Sequence, residues 1–280
     1  MINAIQEYIV YLHDVRKISY NTEVSYKRDL EKAALYLQAQ AVHEVREITE
    51  TDLNSYMLYL ERKKMSAATV SRNIAALHSF FQYLLRRHMI DEDPSERLKP
   101  PRIEKKAPEI LTAAEADQLL KMPNRKTDKG MRDRAMLQLL YTTGIRVSEL
   151  VHLKLGDVNL DLGYIACTES GRERMIPLDA GMRIILEEYL EEARNRLLKG
   201  LESEYLFCNC SGKAMSRQGF WKLLKGYAAE AGITKDITPH TMRHSFAANQ
   251  LQKGVDIRSV QRILGHADVA TTQMYAGMIH

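Results

Sequence analysis

The stretch Ile237–Tyr275, reading ITPHTMRHSFAANQLQKGVDIRSVQRILGHADVATTQMY, concentrates side chains that could handle a phosphate. Thr238-Pro239 is a helix start, an N-cap hydroxyl followed by a proline that gives up no needed N–H. It would place His240 and Arg243 on one helix face, since residues three apart are neighbours there. Ile257, Val260, Ile263 and Leu264 repeat at helical spacing up to Gly265, a helix-ending glycine, so that His266 follows the cap at once. Asp268 can cap a third helix carrying Tyr275. A second arginine, Arg146, follows the break Thr142-Thr143-Gly144 and is expected at a helix start with its guanidinium free. Two guanidinium groups can clamp one phosphodiester through bidentate hydrogen bonds and stay charged at any working pH. Charge builds on the non-bridging oxygens during phosphoryl transfer, where such donors help most. A tyrosine hydroxyl titrates near ~10, so it becomes a nucleophile only with help from cations or a base. This set suits an anionic phosphate better than a metal ion or an acyl group.

The elements that must position these groups read as helices almost throughout. In the first part of the chain four amphipathic segments follow one another with short links. Ile2–Val15 carries Ile5, Tyr8, Ile9 and Leu12, and Ser19–Gln38 carries Val24, Leu30, Leu35 and Leu37. Thr49–Lys63 carries Leu53, Tyr56, Met57 and Leu60, and Ser66–His88 carries Val70, Ile74, Leu77, Phe81 and Leu84. Such a pattern makes a small bundle. Asp93-Pro94 is read as the stop of the fourth helix. Arg97–Lys106 then holds two adjacent prolines and five basic residues against the single acid Glu104, an extended cationic linker that is either a solvated tether or a strap along phosphates. A capping-box pattern at Leu111–Glu115 opens a second domain, with helical periodicity to Leu140, a break, and resumption at Ile145–Leu150. Strand signals occur only in Val158–Leu178, where Tyr164–Thr168 and Arg174–Leu178 flank a turn at Glu169-Ser170-Gly171. The expected fold class is mainly α with a small antiparallel β-sheet. The expected domains are 1–96, a basic proline-containing linker 97–109, and 110–280.

Length and composition bound the reading further. At 280 residues two domains are expected, and 45% hydrophobic residues suffice for ordinary cores. No apolar run approaches a membrane span, and no basic-then-apolar leader opens the chain. The three cysteines are an odd number, with Cys208 and Cys210 wrongly spaced for a zinc knuckle, so they read as reduced thiols of a cytoplasmic protein. A net charge of +4 leans basic without by itself establishing a nucleic-acid partner.

Thr143–Leu150 (TGIRVSEL), His240-x-x-Arg243-His244, Leu264-Gly265-His266 and Thr271-Thr272-Gln273-Met274-Tyr275, in that order, resemble the signature boxes of the tyrosine recombinases, with closest similarity to bacterial Xer-type recombinases and phage-type integrases. Ser19-x-x-Thr22-x-x-x-Tyr26-x-x-Asp29-Leu30 and Ser66–Leu85 resemble the family's N-terminal core-binding domain, a four-helix SAM-like bundle. The likeness spans nearly the whole chain, and four ordered boxes are far more specific than a lone HxxR. It implies a C-shaped clamp on duplex DNA, two sites joined by a homo- or hetero-tetramer, and strand exchange without metal, cofactor or small-molecule substrate. It further implies that Tyr275 attacks the scissile phosphate to give a 3′-phosphotyrosine, that Arg146 and Arg243 hold the phosphate, that His240 handles the tyrosine proton and that His266 donates to the phosphate. The resemblance gives His244 no direct chemistry, so it reads as structural. Glu149 is expected to buttress Arg146 or cap local backbone. Lys27, Arg72, Arg102, Lys105 and Arg172 are the candidate DNA contacts.

Two features depart from the family pattern. The family carries a lysine on the β-hairpin that protonates the departing 5′-oxygen, and alignment of Arg172–Leu178 with the second hairpin strand puts Glu169 there. Sliding the alignment finds no substitute, because no lysine lies between Lys154 and Lys199. A carboxylate some ~6 Å from the phosphate would oppose its charge by about 3 kcal/mol at an effective dielectric near ~20. Arg172 or Arg174 could supply charge, but arginine is too weak an acid to replace lysine cleanly. Second, only Ala276–His280 follow Tyr275, where Xer-type relatives continue into a helix that docks on a neighbour. The leading expectation is a recombinase. A catalytically weak DNA-binding accessory protein of the same fold, and a type IB topoisomerase-like relaxer, are the alternatives.

Overall fold

The computed structural model describes residues 1–102, 109–169, 172–265 and 270–276, the side chains of 169, 172, 270, 271 and 276 excepted. The chain forms two compact units, Met1–Lys105 and Lys106–His280. Each has its own hydrophobic core, and no core residue is shared between them.

In the first unit the helices are α1 (Ile2–Asp14), α2 (Tyr20–Ala39), α3 (Glu50–Arg62) and α4 (Ala67–Arg86). Three of the four starts are set by hydroxyl caps. Ser19, Thr49 and Ser66 accept the N–H of Thr22, Asp52 and Thr69, each satisfying a donor the first turn leaves unpaired. The apolar stripes meet in a core where Tyr8 lies edge-on to Phe80 and against Tyr83. Two buried polar side chains pair within the bundle: the Tyr56 hydroxyl donates to Asn73 at 2.9 Å, and the Asn73 amide donates to the Thr69 carbonyl at 2.9 Å. The stripe read along α2 holds at Leu30 and Leu37 but not at Val24 or Leu35, which are 37% and 65% exposed. The fourth helix ends at Arg86, earlier than Asp93-Pro94, because the chain turns through Arg87 and a left-handed His88 (φ 53). The core reaches past residue 96, since Leu98 is buried and its carbonyl meets His78 Nε2 at 3.2 Å. Pro100–Arg102 carry no regular structure, and the rest of the basic linker through Pro108 lies outside the described residues.

The second unit opens with α5 (Ala113–Lys121), capped by Thr112 and Glu115 reciprocally, and α6 (Asp128–Thr143), capped by Thr127. One continuous helix to Leu140 is therefore not what forms. Pro123 follows the end of α5 and the chain restarts at a new cap, as a proline inside a helical pattern requires. Then come α7 (Val147–His152) and an antiparallel sheet in the order β1 (Val158–Asn159), β2 (Tyr164–Glu169), β3 (Arg172–Pro177). The register pairs Cys167 with Arg174 and Glu169 with Arg172 across the hairpin, whose two turn residues lie outside the described ones. Helix α8 (Ala180–Glu188) runs through a π-helical turn, Tyr189–Arg194, into the short α9 (Asn195–Leu198). That turn brings the Tyr189 hydroxyl and Arg194 Nε to the same carbonyl, Leu206, at 3.0 and 3.2 Å. Helices α10 (Arg217–Glu230), α11 (Pro239–Gln252), α12 (Ile257–Leu264) and α13 (Ala270–Ala276) complete the unit. Helix α11 packs on α6 at the centre, and the Leu111 N–H donates to Ser245 of α11 at 2.8 Å, tying the start of the unit to its functional end. Among the described residues no helix is long and apolar enough to cross a membrane. The mainly helical fold with a small antiparallel sheet matches the expectation from sequence.

Candidate active site

The site is built around two helix ends. Helix α6 stops at Gly144, which sits at φ 61, and a Cβ there would come within 2.4 Å of Phe246 and 2.8 Å of Leu264. Both the backbone sign and the space therefore require glycine. Helix α12 stops the same way, at Gly265 with φ 65. The carbonyls left over at these two C-terminal ends carry partial negative charge and need donors.

Arginines supply them. Arg243, buried on α11, donates from its two terminal nitrogens to the carbonyls of Gly144 and Leu264. Burial, with the nearby Arg146 charge, lowers its pKa to about 10, so it is still a cation at neutral pH. Arg146, the residue before α7, donates to the Gly265 carbonyl at 2.7 Å and approaches Glu149 at 3.6 Å. Its guanidinium is thus not free, as its place at a helix start had suggested. The end of α12 lies within its reach and takes one of its N–H groups.

Glu149 links the arginines. One oxygen accepts the Arg146 backbone N–H at 2.8 Å, closing the start of α7. Arg174 of β3 grips the same carboxylate at 2.6 and 2.8 Å, while its Nε donates to the Ile263 carbonyl at 3.1 Å. Burial alone would raise the Glu149 pKa, but the hydrogen bonds from Arg174 and the Arg146 N–H outweigh it and hold the group below the usual carboxylate range. Glu149 therefore both caps the backbone and pairs with charge. Cys167, opposite Arg174, is pushed up to about 12 by burial and is an unreactive thiol.

Tyr275 is 1% exposed and packs with Phe246, Ala247, Val260 and Leu264. Its hydroxyl lies 2.7 Å from Nδ1 of His244, the rings 5.3 Å apart. Burial raises the phenol pKa, and Arg243 opposes that rise. His244 is lowered to about 4 by burial and by His240 and Arg243, which leaves it neutral at physiological pH. His240 is exposed in the first turn of α11 and faces His244 at 6.3 Å. The contact at Tyr275 thus comes from His244, to which the family resemblance gives no direct chemistry. The available signal was spacing: His240 and His244 are four apart and share a helix face.

The remaining candidates fall in different places. His266 and Asp268 lie outside the described residues, as does Lys105. Arg72 is half exposed and grips Asp29 at 2.7 and 3.0 Å, which fixes its direction on α4. Lys27 is exposed and loosely paired with Glu31 at 3.9 Å, and Arg102 is exposed. Arg172 is placed only by its backbone pairing with Glu169.

A helical unit is thus followed by a unit that gathers two arginines, two histidines and a tyrosine near paired helix ends, and comparison with known proteins gives the class. Residues 109–278 match the phage integrase family, and residues 5–88 match the phage integrase N-terminal SAM-like domain. The chain belongs to the phage integrase family, the tyrosine recombinases. It is 44% identical to the tyrosine recombinase XerD of Oceanobacillus iheyensis, over 97% of this chain and 92% of that protein. It is 40% identical to the tyrosine recombinase XerC of Roseiflexus castenholzii, over 100% of this chain and 90% of that protein. Among solved structures it resembles the XerH site-specific recombinase bound to a palindromic difH substrate in a post-cleavage complex, with TM-score 0.77, 25% identity, and coverage of 94% and 78% of the two chains. A lambda integrase dimer bound to a COC′ core site shares the fold, with TM-score 0.77, 18% identity, and coverage of 98% and 94%. The expectation of a tyrosine recombinase enzyme holds, and nothing favours the accessory-protein reading over it.

Proposed function

We propose that the chain recombines duplex DNA at specific sites through a 3′-phosphotyrosine intermediate, with Tyr275 as nucleophile. The Tyr275 oxygen attacks the scissile phosphorus, the P–O5′ bond breaks, and the 5′-oxygen leaves as a hydroxyl once protonated. A 5′-hydroxyl from a partner strand then attacks the phosphotyrosine, restoring the phosphodiester and freeing the phenol. One ester is exchanged for another at each step, so no external energy source enters the balance. Arg146 and Arg243 hold the non-bridging oxygens, His240 handles the tyrosine proton and His266 donates to the phosphate. The observation that carries this reading is the convergence of Arg146, Arg243, the His240–His244 pair and Tyr275 around the C-terminal ends of α6 and α12, in a chain of this family. Lys27, Arg72, Arg102, Lys105 and Arg172 contact the DNA backbone, and the 97–109 segment joins the two DNA-binding units. Four protomers, like or unlike, bring two sites together. The work takes place in the cytoplasm, in keeping with the three free cysteines.

The test is incubation with nicked duplex substrates that trap the covalent intermediate. Wild type is expected to form a protein–DNA adduct. Tyr275→Phe should form none while keeping DNA affinity within a few-fold. An undiminished adduct in that variant would remove Tyr275 as the nucleophile.

A further inference from the structure

We infer that His244 is a positioning residue that holds the Tyr275 hydroxyl in an inward resting place, and that this hydrogen bond must break before the tyrosine can meet a phosphate. The inference rests on Tyr275 being the nucleophile proposed above. At 1% exposure, with its ring among Phe246, Val260 and Leu264, Tyr275 has almost no surface to offer a ligand arriving from solvent. Its hydroxyl is on His244 at 2.7 Å. The arginines are likewise turned inward, Arg243 onto the carbonyls of Gly144 and Leu264 and Arg146 onto that of Gly265. In the described arrangement both guanidinium groups are thus already engaged by protein carbonyls.

A rival role for His244 would be general base. Proton energetics weigh against it. Burial lowers the imidazole to about 4 and raises the phenol, so the proton stays on the phenol. A base serves best when its pKa lies near the working pH. Neutral His244 can satisfy the hydroxyl in either tautomer, accepting its proton or donating from Nδ1, and that suffices to hold an oxygen in place. Seating is also local. His244 sits one residue after Arg243, on a helix anchored at Thr238 and at Ser245, so the holder is rigid. Tyr275 sits on the seven-residue α13, which packs against α11 and α12, so the held residue belongs to the smaller element.

The experiment labels Tyr275 alone with fluorine, as 3-fluorotyrosine, and compares wild type, His244→Leu, His244→Gln and His244→Asn. Asparagine can place a polar atom where Nδ1 lies. Glutamine places its amide at the Nε2 end, and leucine has none, so the two polar variants separate loss of the bond from loss of folding. In DNA-free protein the fluorine resonance should show a buried environment in wild type and Asn, and a larger H2O/D2O shift in Leu and Gln. With saturating nicked duplex, single-turnover cleavage should rise roughly three- to tenfold in Leu and Gln, the weight of one buried hydrogen bond, and stay near wild type in Asn. An unchanged fluorine signal in folded Leu or Gln overturns the inference. So does a tenfold or greater fall in cleavage in Leu and Gln, which would put His244 in the chemistry instead. Absence of any adduct in wild type would strike the proposed function, whereas the DNA-free fluorine readout judges the resting contact on its own.

Discussion

Arg243 shows why a guanidinium, and not merely a positive charge, is needed at the centre of the site. It serves two diverging carbonyls while buried, and burial draws its pKa down to about 10 without neutralising it. A lysine starts near ~10.4, and the same burial would bring it toward neutrality while offering no planar fork. Arg243→Lys should therefore lose about 10²–10³ in single-turnover cleavage, the usual size of a lost transition-state donor. Its residual activity should also decline as pH rises through 7 to 9, where wild type is flat. A variant with wild-type rate and pH profile would show that Arg243 is structural only. Glu169 bears on the leaving group. It pairs with Arg172 at the end of the hairpin, and the expectation from sequence is that this is the family's lysine position. Wild type should cleave slowly, Glu169→Lys faster, and Glu169→Gln should regain only the electrostatic part. A substrate with sulfur at the bridging 5′ position needs no proton to leave, so it should rescue wild type selectively. If wild type is already fast on oxygen and Glu169→Lys changes nothing, another residue protonates the 5′-oxygen. At this scale His240 and Arg243 were legible as a pair because they stand three apart on one helix. The His244–Tyr275 contact was not, because spacing within α11 says nothing of where α13 packs.

The elements explain how the arginines stay in place. Gly144 ends α6 in a conformation a side chain resists, and its carbonyl is one of the two that Arg243 binds. Gly144→Ala adds backbone strain and a methyl overlapping Phe246, so it should destabilise the second unit by about 2–4 kcal/mol. Trp221, the single tryptophan, lies on α10 in that unit, so its fluorescence in a urea titration reads the loss directly. Glu149→Gln tests the same region by charge. Removing the carboxylate leaves Arg174 half-paired in a mostly buried place, at a cost of about 3 kcal/mol at neutral pH. The folded pKa of Glu149 is depressed, so its contribution is complete above the ordinary carboxylate value and is lost as pH falls through the lower folded one. The gap between wild type and Glu149→Gln in urea midpoint should hold constant from pH 7 to about 5 and narrow below. A gap that widened on acidification would contradict the pairing. Helix starts were legible because caps are local: Ser19, Thr49, Ser66, Thr112 and Thr238 all begin helices where the sequence placed them. The π-turn at Tyr189–Arg194 was not legible, since it goes with contacts of two of its side chains to the Leu206 carbonyl, which no local pattern announces.

For the whole molecule the decisive quantity is how two separately folded units combine on one ligand. Their cores are independent, so each can be prepared alone, as residues 1–105 and 106–280. If both bind duplex DNA, joining them makes the second contact intramolecular, and avidity should exceed that of either unit by about 10²–10⁴. Neutralising several phosphates also releases their counterions, so affinity of the full chain should fall steeply with salt. Six to ten contacts would mean a loss of roughly 10³–10⁵ between 50 and 200 mM, and each unit alone should show a shallower log–log slope. The basic segment from Arg97 to Lys106 is expected to add to the slope, and exchanging Arg102 and Lys105 for glutamine should reduce it by nearly two. Fluorescence anisotropy on a labelled duplex at five salt concentrations would measure all of these slopes in one series. A unit that binds as tightly as the full chain would remove the two-unit reading. An unchanged slope in the glutamine variant would return the linker to the role of a solvated tether, leaving the DNA contacts to the folded units alone.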